Sequence, residues 1–525
     1  GVVRGLRADG HFDLALYRVP ETAVQVRRER LKTKMVSELE KYFEPFREKI
    51  IGNDATFESP YGTQRILYAD WIASGRLYEP IEQKLQTQFG PYVANTHTET
   101  TLTGTLMTKA YHRSHQLIKK HVNAGPNDVI LTAGYGMTAV INKLMRILSL
   151  KGCGGVENIC VKTSDRPVVF LTHMEHHSNH TSWFETIADV VMIEPDENLR
   201  VNLDDLREKL EIYRDRKFKI GSFTACSNVT GVNTPYYKMA KLMHEYGGLV
   251  FIDFAASAPY MKIDMHPEDP MEKLDAIFFS PHKFLGGPGA SGVLIFDKAM
   301  YTAEVPDNPG GGTVDWTNPW GKYKYVDDIE VREDGGTPGF LQSIKAALAI
   351  ELKMQMGVEN IMKREEELLH IALHGLREID GIEILANTVD DRLGVISFYH
   401  PAIHFNLFVK LLNDRFGIQT RGGCACAGTY GHFLLEVSYD QSQEITEKIN
   451  HGDLSEKPGW VRWSLHPTMT DEEVRHILNS IREVTLHHSE WIKDYVYITK
   501  KNEFIHHSHV ESLPEDEIMT DWFKL

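Results

Sequence analysis

From about residue 64 onward, short apolar runs alternate with amphipathic stretches. The runs cover residues 128–132, 167–171, 190–193, 249–253 and 276–279. Near-continuous apolar segments of this length suit strands covered on both faces, and helical stretches between them make the sheet mainly parallel. One intervening helix is legible residue by residue. Met137, Val140, Ile141, Leu144, Met145 and Leu148 recur in steps of three and four, which puts a single apolar stripe against the sheet. Before this region, residues 1 to about 62 are charge-rich, and Leu31, Met35, Leu39, Tyr42 and Phe43 lie at helical spacing within 24–46. That spacing predicts a lead-in helix or two. Residues 305–326 mix Pro, Gly, Trp and Tyr with little period, the pattern of a long ordered loop.

The remainder reads as a smaller α+β unit, with helices at 344–356, 359–379 and 404–416, a strand at 394–399 and a terminal helix after Thr470. A polar tail, 496–525, carries His506, His507 and His509. The expected division is an N-terminal helical extension at 1–62, a large α/β domain at 63–343, a small C-terminal domain at 344–495 and the tail. Composition fits a folded chain: of 525 residues, 42% are hydrophobic and 25% charged, which excludes wholesale disorder. The charge balance, 57 − 73 = −16, repels phosphate backbones and anionic lipid, so neither nucleic acid nor a membrane is expected as partner. No window reaches the roughly 18 apolar residues of a membrane span. The N-terminus lacks an apolar signal core and an initiator Met, and reads as a processed end. Cys153, Cys160, Cys226, Cys424 and Cys426 are too few and scattered for a disulfide framework, which points to the cytoplasm.

Chemistry concentrates at strand ends. The stretch 278–292 sets Ser280, His282 and Lys283 just past an apolar strand, on the edge where open α/β sheets bind ligands. A desolvated lysine amine can form a Schiff base with a carbonyl cofactor while Ser280 and His282 donate to its phosphate. Asp253 ends another apolar run, and a carboxylate there needs a cationic or donor partner. The pyridinium nitrogen of pyridoxal phosphate is one candidate; a helix cap or a local ion pair is the other. A third strand end, Ala133-Gly134-Tyr135-Gly136-Met137-Thr138, opens the amphipathic helix, whose free N–H groups and dipole suit phosphate.

Other patterns carry competing readings. Gly287, Gly289 and Gly292 match G-x-G-x-x-G but lead into the apolar run 293–296, whereas a dinucleotide fingerprint opens a helix. His173, His176, His177 and His180 have the spacing of a zinc-binding helix face, and hence of a zinc hydrolase. They follow directly on a strand, which favours an active-site loop with one ring-stacking histidine. In the stretch 420–428, Arg421 suits a bidentate grip on a carboxylate. Cys424 and Cys426 form a Cys-x-Cys pair that no second pair completes as a zinc site, and buried thiols acting as small apolar residues are the alternative.

With Met174-Glu175-His176-His177-Ser178-Asn179 and Ser280-x-His282-Lys283 as its specific motifs, the chain from about 68 to 484 resembles the class V aminotransferase family of fold-type I pyridoxal phosphate enzymes, nearest its cysteine desulfurase and selenocysteine lyase branch. The resemblance implies a large domain with a mainly parallel sheet and a smaller α+β domain. It makes Lys283 the Schiff-base lysine, Asp253 the pyridinium partner, His176 the stacked ring and Asn228 the neighbour of the cofactor's phenolic oxygen. Gly136, Met137 and Thr138, with Ser280 and His282, become the phosphate cradle. Gly312-Thr313 resembles a segment that reaches the phosphate across a dimer interface, implying a homodimer. Arg421 becomes the substrate-carboxylate arginine and Cys426 the nucleophile. The implied reaction converts L-cysteine to alanine and passes sulfur to Cys426, with a sulfur-acceptor protein as further partner. Transamination, C–S lysis or epimerisation with a structural Cys426 is the alternative. The chain departs from the family at Ala256, where Gln or His is frequent, and in the segment 427–432.

Overall fold

Seven strands form the main sheet: β1 (Asp128–Ala133), β2 (Val168–Thr172), β3 (Asp189–Ile193), β4 (Lys219–Thr224), β5 (Leu249–Asp253), β6 (Ala276–Phe279) and β7 (Gly292–Asp297). The structure is a computed structural model and describes residues 37–151, 165–509 and 514–524. Strand order is β1-β7-β6-β5-β4-β2-β3, with β7 antiparallel to both neighbours and the other pairs parallel. The carboxyl ends of β1, β5 and β6 therefore share one edge. Val168 and Phe170 enter one core while Val169 and Leu171 enter the other, and Val293 and Ile295 alternate likewise with Leu294 and Phe296. Alternate residues point to opposite faces, so only an unbroken apolar run fills both cores. Each such side chain withdrawn from water contributes about 1.5–3 kcal/mol. The hydrophobic pattern does not predict β4, because Lys219, Gly221 and Ser222 interrupt it, yet all six of its residues are buried. The sequence 292–297 is a strand, as the dinucleotide argument requires.

A second sheet holds β8 (Glu383–Ile384), β9 (Val395–Tyr399), β10 (Arg421–Gly423) and β11 (Trp460–Ser464) in the order β8-β9-β11-β10, antiparallel throughout. The N-terminal part of the chain differs from its helical expectation. Only α1 (Glu38–Arg47) is helical among described residues before Thr56, and Thr56–Ser59 pairs with Gly62–Arg65 as a hairpin; residues 1–36 of the predicted lead-in lie outside the described residues. Helix α1 docks on the C-terminal unit, where the buried Arg364 pairs with Glu40 at 3.0 Å and Asp471 at 2.9 Å. Next, Leu67–Tyr68 pairs in parallel with Ile418–Gln419 and carries Asp70 beside Ser464. Nor is 496–525 a plain polar tail. Tyr495–Ile498 and Glu503–His506 form a hairpin, and Tyr495 donates to Asp414 at 3.0 Å.

Helix α2 (Met137–Ile147) buries the predicted stripe, and α3 (His177–Phe184) begins just after β2. The long loop near 305–326 contains a hairpin, Val314–Thr317 with Tyr323–Tyr325. It is fastened to α2 by Arg146, 2.5 Å from Asp307, and the segment after it by Lys143, 2.7 Å from Glu333. Among the described residues no helix is long and apolar enough to cross a membrane.

Candidate active site

Residues 280–283 follow β6 in a tight turn that neighbouring backbone fixes in place. Gly75 N–H donates to the His282 carbonyl at 2.9 Å and Gly286 N–H to the Arg76 carbonyl at 2.7 Å. A Cβ at Gly287 would overlap the Pro281 carbonyl oxygen, so this turn closes only around glycine. Ser280 Oγ accepts from the Met137 amide, the first of α2, at 2.9 Å. Thr138 pairs with Ser178 through their hydroxyls at 2.6 Å. Burial pushes the Lys283 amine down to about 8 against the opposing pull of Asp253. Burial also pushes the Asp253 carboxyl up to about 6, although the Ala255 amide at 2.8 Å and the charge on Lys283 resist it.

His176 caps α3. Its Nδ1 accepts from the Ser178 amide at 3.1 Å, which assigns its proton to Nε2. Burial and then the charge of Lys283 hold the ring down to about 3, and His282 is held similarly at about 4. The Glu175 and Asn179 of the same motif are structural. Glu175 accepts from the Thr172 hydroxyl at 2.6 Å, the Thr224 amide at 3.0 Å and Asn179 Nδ2 at 2.7 Å. Asn179 Oδ1 accepts from Ser222 Oγ at 2.7 Å. The motif thereby ties β2 and β4 to the loop that bears His176.

Arg421 and Arg462 face each other across β10 and β11. Their like charges are bridged by Asp70, whose Oδ2 takes Arg421 Nε at 2.9 Å and whose Oδ1 takes Arg462 at 2.7 Å. Arg462 is buried, with Nε unpartnered, whereas the Arg421 side chain is 48% exposed. The charges of both arginines and of Asp70 act on Lys283. The cysteine turn lies next. Ala427 N–H closes on the Cys424 carbonyl at 3.0 Å, with Ala425 at φ +51 and Cys426 at φ +57. Left-handed non-glycine residues cost on the order of 1–3 kcal/mol each. Asn228 Nδ2 donates to the Ala425 carbonyl at 2.8 Å, His177 N–H to the Cys426 carbonyl at 2.8 Å, and Gly428 N–H to His177 Nε2 at 2.9 Å. Cys426 is exposed, Cys424 half-buried and Cys226 buried.

The profile of the family described as Aminotransferase class-V matches residues 67–477. The chain belongs to that family. Class-V enzymes of this kind depend on pyridoxal 5′-phosphate. Among similar proteins, a probable cysteine desulfurase of Staphylococcus aureus (strain Mu50) is 29% identical over 74% of this chain and 91% of its own. One from Halalkalibacterium halodurans is 27% identical over 69% of this chain and 84% of its own. Among solved structures, the apo cysteine desulfurase of Thermococcus onnurineus NA1 superposes with TM-score 0.67 at 22% identity, covering 84% of this chain and 97% of that one. The Escherichia coli cysteine desulfurase CsdA gives 0.66 at 21%, covering 85% and 98%. These two structures share the fold.

The class-V cofactor fits the residues present. A Cβ at Gly136 would stand 2.9 Å from Ser280 Oγ and 3.5 Å from the His282 ring, so the missing side chain keeps that cradle open for phosphate. Asp253 is a buried carboxylate for a pyridinium, and Lys283 a buried amine of lowered pKa. Gly312 and Thr313 are not brought to this cluster within one chain. Thr313 Oγ1 donates to the Gly310 carbonyl at 2.7 Å, and Gly312 lies against His97. The zinc-face spacing does not produce a metal cage: His173 pairs with the Leu199 carbonyl at 3.1 Å between Tyr430 and Phe433, while His180 packs on Phe184. Among the described residues no three His, Cys, Asp or Glu side chains converge to hold a metal. Sequence reasoning missed Asp70 and Arg462, and placed His177 only in the zinc-face spacing and the family motif, without its contact to the cysteine turn. The first two had a usable signal, since each is a lone charge inside an apolar run, 67–72 and 460–465, and such charges need each other.

Proposed function

We propose that this chain is a cysteine desulfurase that converts L-cysteine to alanine and retains the sulfur on Cys426. The observation that carries the reading is an exposed thiol on a strained turn whose Ala425 carbonyl accepts from Asn228 Nδ2 at 2.8 Å, while the Asn228 carbonyl accepts from the buried Arg462 at 3.2 Å. The names of the curated relatives point the same way. Bound pyridoxal phosphate supplies an electron sink for bonds broken at the substrate Cα. Lys283 anchors the cofactor and, as a free amine, moves the Cα proton. Asp253 would pair with the pyridinium nitrogen, and His176 and Asn228 would contact the cofactor ring and its phenolic oxygen. Gly136, Met137 and Thr138, with Ser280 and His282, would hold the phosphate.

Arg421 takes the substrate carboxylate in its exposed fork, with Asp70 and Arg462 setting its direction. Cys426 thiolate attacks the substrate sulfur: an S–S bond forms, the C–S bond breaks and the carbon regains a proton. L-cysteine and thiol thus become alanine and persulfide. The family resemblance would carry the loop bearing Gly312 and Thr313 to the phosphate site of a second copy, which would make the working form a homodimer; a cytoplasmic location and a sulfur-acceptor protein that removes the persulfide sulfur belong to the same reading. A panel of amino acids scored for sulfide, alanine and keto acids tests the reading. Equal alanine and sulfide from L-cysteine supports it; turnover of another amino acid with none of cysteine would leave a different class-V reaction in its place.

A further inference from the structure

We infer that His177 is the positioning residue for Cys426, pinning the turn that presents the thiol to the start of α3. This rests on the reading of Cys426 as the sulfur-accepting thiol. The two adjacent histidines of the motif divide the work. His176 turns its Nδ1 to the Ser178 amide, whereas His177 grips the cysteine turn on both sides of Ala427, through its main-chain N–H to Cys426 and its Nε2 from Gly428. Accepting from an amide requires an Nε2 without a proton. Burial lowers the His177 pKa and favours that neutral form.

The grip matters because Ala425 and Cys426 both hold a left-handed backbone, which non-glycine residues leave when unconstrained. Among the described residues, the other hydrogen bond reaching 424–428 from the large sheet's loops is Asn228 to Ala425. Within the short helix Gly428–Leu434, His432 pairs with the Gly428 carbonyl at 2.8 Å and with Ser442 at 2.9 Å. Ser442 lies on Tyr439–Asn450, a helix without buried residues. Gly428 is therefore fixed between two histidines, of which His177 alone connects it to the cofactor side. Releasing that bond frees the turn to leave its left-handed backbone and carry the thiol away from the start of α3.

The test uses cofactor-loaded protein carrying Cys424→Ser, so that Cys426 is the single thiol of the turn. Iodoacetamide labelling of the Cys426 peptide is followed by mass spectrometry, alongside L-cysteine turnover. His177→Phe keeps a ring and the main-chain bond but has no acceptor; His177→Gln restores an acceptor near the Nε2 position. The expectation is that His177→Phe slows labelling about three- to ten-fold, the worth of one hydrogen bond, with kcat falling similarly. KM for L-cysteine and cofactor absorbance should hold, and His177→Gln should return both rates to the parent values. Unchanged labelling in His177→Phe, equal losses in the Phe and Gln variants, or loss of cofactor from both would overturn the inference. If L-cysteine is never turned over but labelling responds as stated, the positioning role stands and the desulfurase reading falls.

Discussion

Lys283 sits on a turn that closes around Gly287 and is bonded to residues 75 and 76, while Cys426 sits on an exposed turn with two left-handed residues and a few hydrogen bonds from His177 and Asn228. The first loop grows from the end of a fully buried strand. The second follows β10, at the edge of the small sheet. A cofactor that must keep one position asks for the first design, because preorganised donors lose nothing to rearrangement. On the proposed reading the thiol must reach substrate and then surrender sulfur, which asks for the second. Rigidity and exposure are thus divided between two loops that meet over one cluster of charges.

The contrast can be attacked from either side. The largest effect belongs to Lys283→Ala, which should lower turnover about 10²–10⁴-fold, the usual contribution of a positioned proton-transfer group. Borohydride should then no longer fix cofactor mass to the peptide containing position 283. Next comes the arginine pair. Arg462→Met leaves the Asp70 carboxylate short of a buried partner, and denaturant melts should record a loss of about 3–5 kcal/mol. Arg421→Met, half in solvent, should cost little stability yet weaken amino-acid binding about ten-fold or more, as expected for a charge-assisted pair worth about 1.5–3 kcal/mol.

A matched pair of backbone changes sharpens the comparison. Gly287→Ala forces a side chain into the Pro281 carbonyl and should destabilise by about 1–3 kcal/mol, releasing cofactor in thermal melts. Ala425→Gly relieves a left-handed residue, so its melting temperature should stay level or rise slightly. Smallest is a pH effect. Burial holds the Lys283 amine at about 8, and only the neutral amine attacks a carbonyl. Uptake of pyridoxal phosphate by stripped protein should therefore accelerate as pH rises through about 8, and a rate flat between pH 7 and 9 would contradict that placement.

Much of the rigid half was legible in sequence. Strands filling two cores must be apolar throughout, so β2, β5 and β6 announced themselves, and Lys283 and Asp253 stood at their ends. Helix α2 was visible through its stripe. The half that bears the exposed thiol was much less so. Residue type and spacing singled out Arg421 and the Cys424/Cys426 pair, but only the family likeness chose Cys426 as nucleophile, and Asp70 and Arg462 owe their meaning to partners nearly 400 residues away. His177 looked like a neighbour of the stacked ring, since no periodic pattern encodes a hydrogen bond to Gly428. β4 escaped because burial, not hydrophobicity, makes Lys219 and Ser222 strand residues. The hairpins at 56–65 and 495–506 interrupt stretches whose composition reads as polar lead-in and tail.

The most direct test of the account follows sulfur on the protein itself. Cofactor-loaded enzyme is mixed with L-cysteine in the absence of reductant, quenched, and mapped by peptide mass spectrometry while alanine is counted. The parent protein should gain one sulfur at Cys426 for each alanine formed. Cys426→Ser should still bind L-cysteine and shift the cofactor absorbance, yet transfer no sulfur. Full alanine and sulfide production by Cys426→Ser, with the added sulfur on another residue or on none, would contradict the claim that the exposed thiol of this turn is the acceptor.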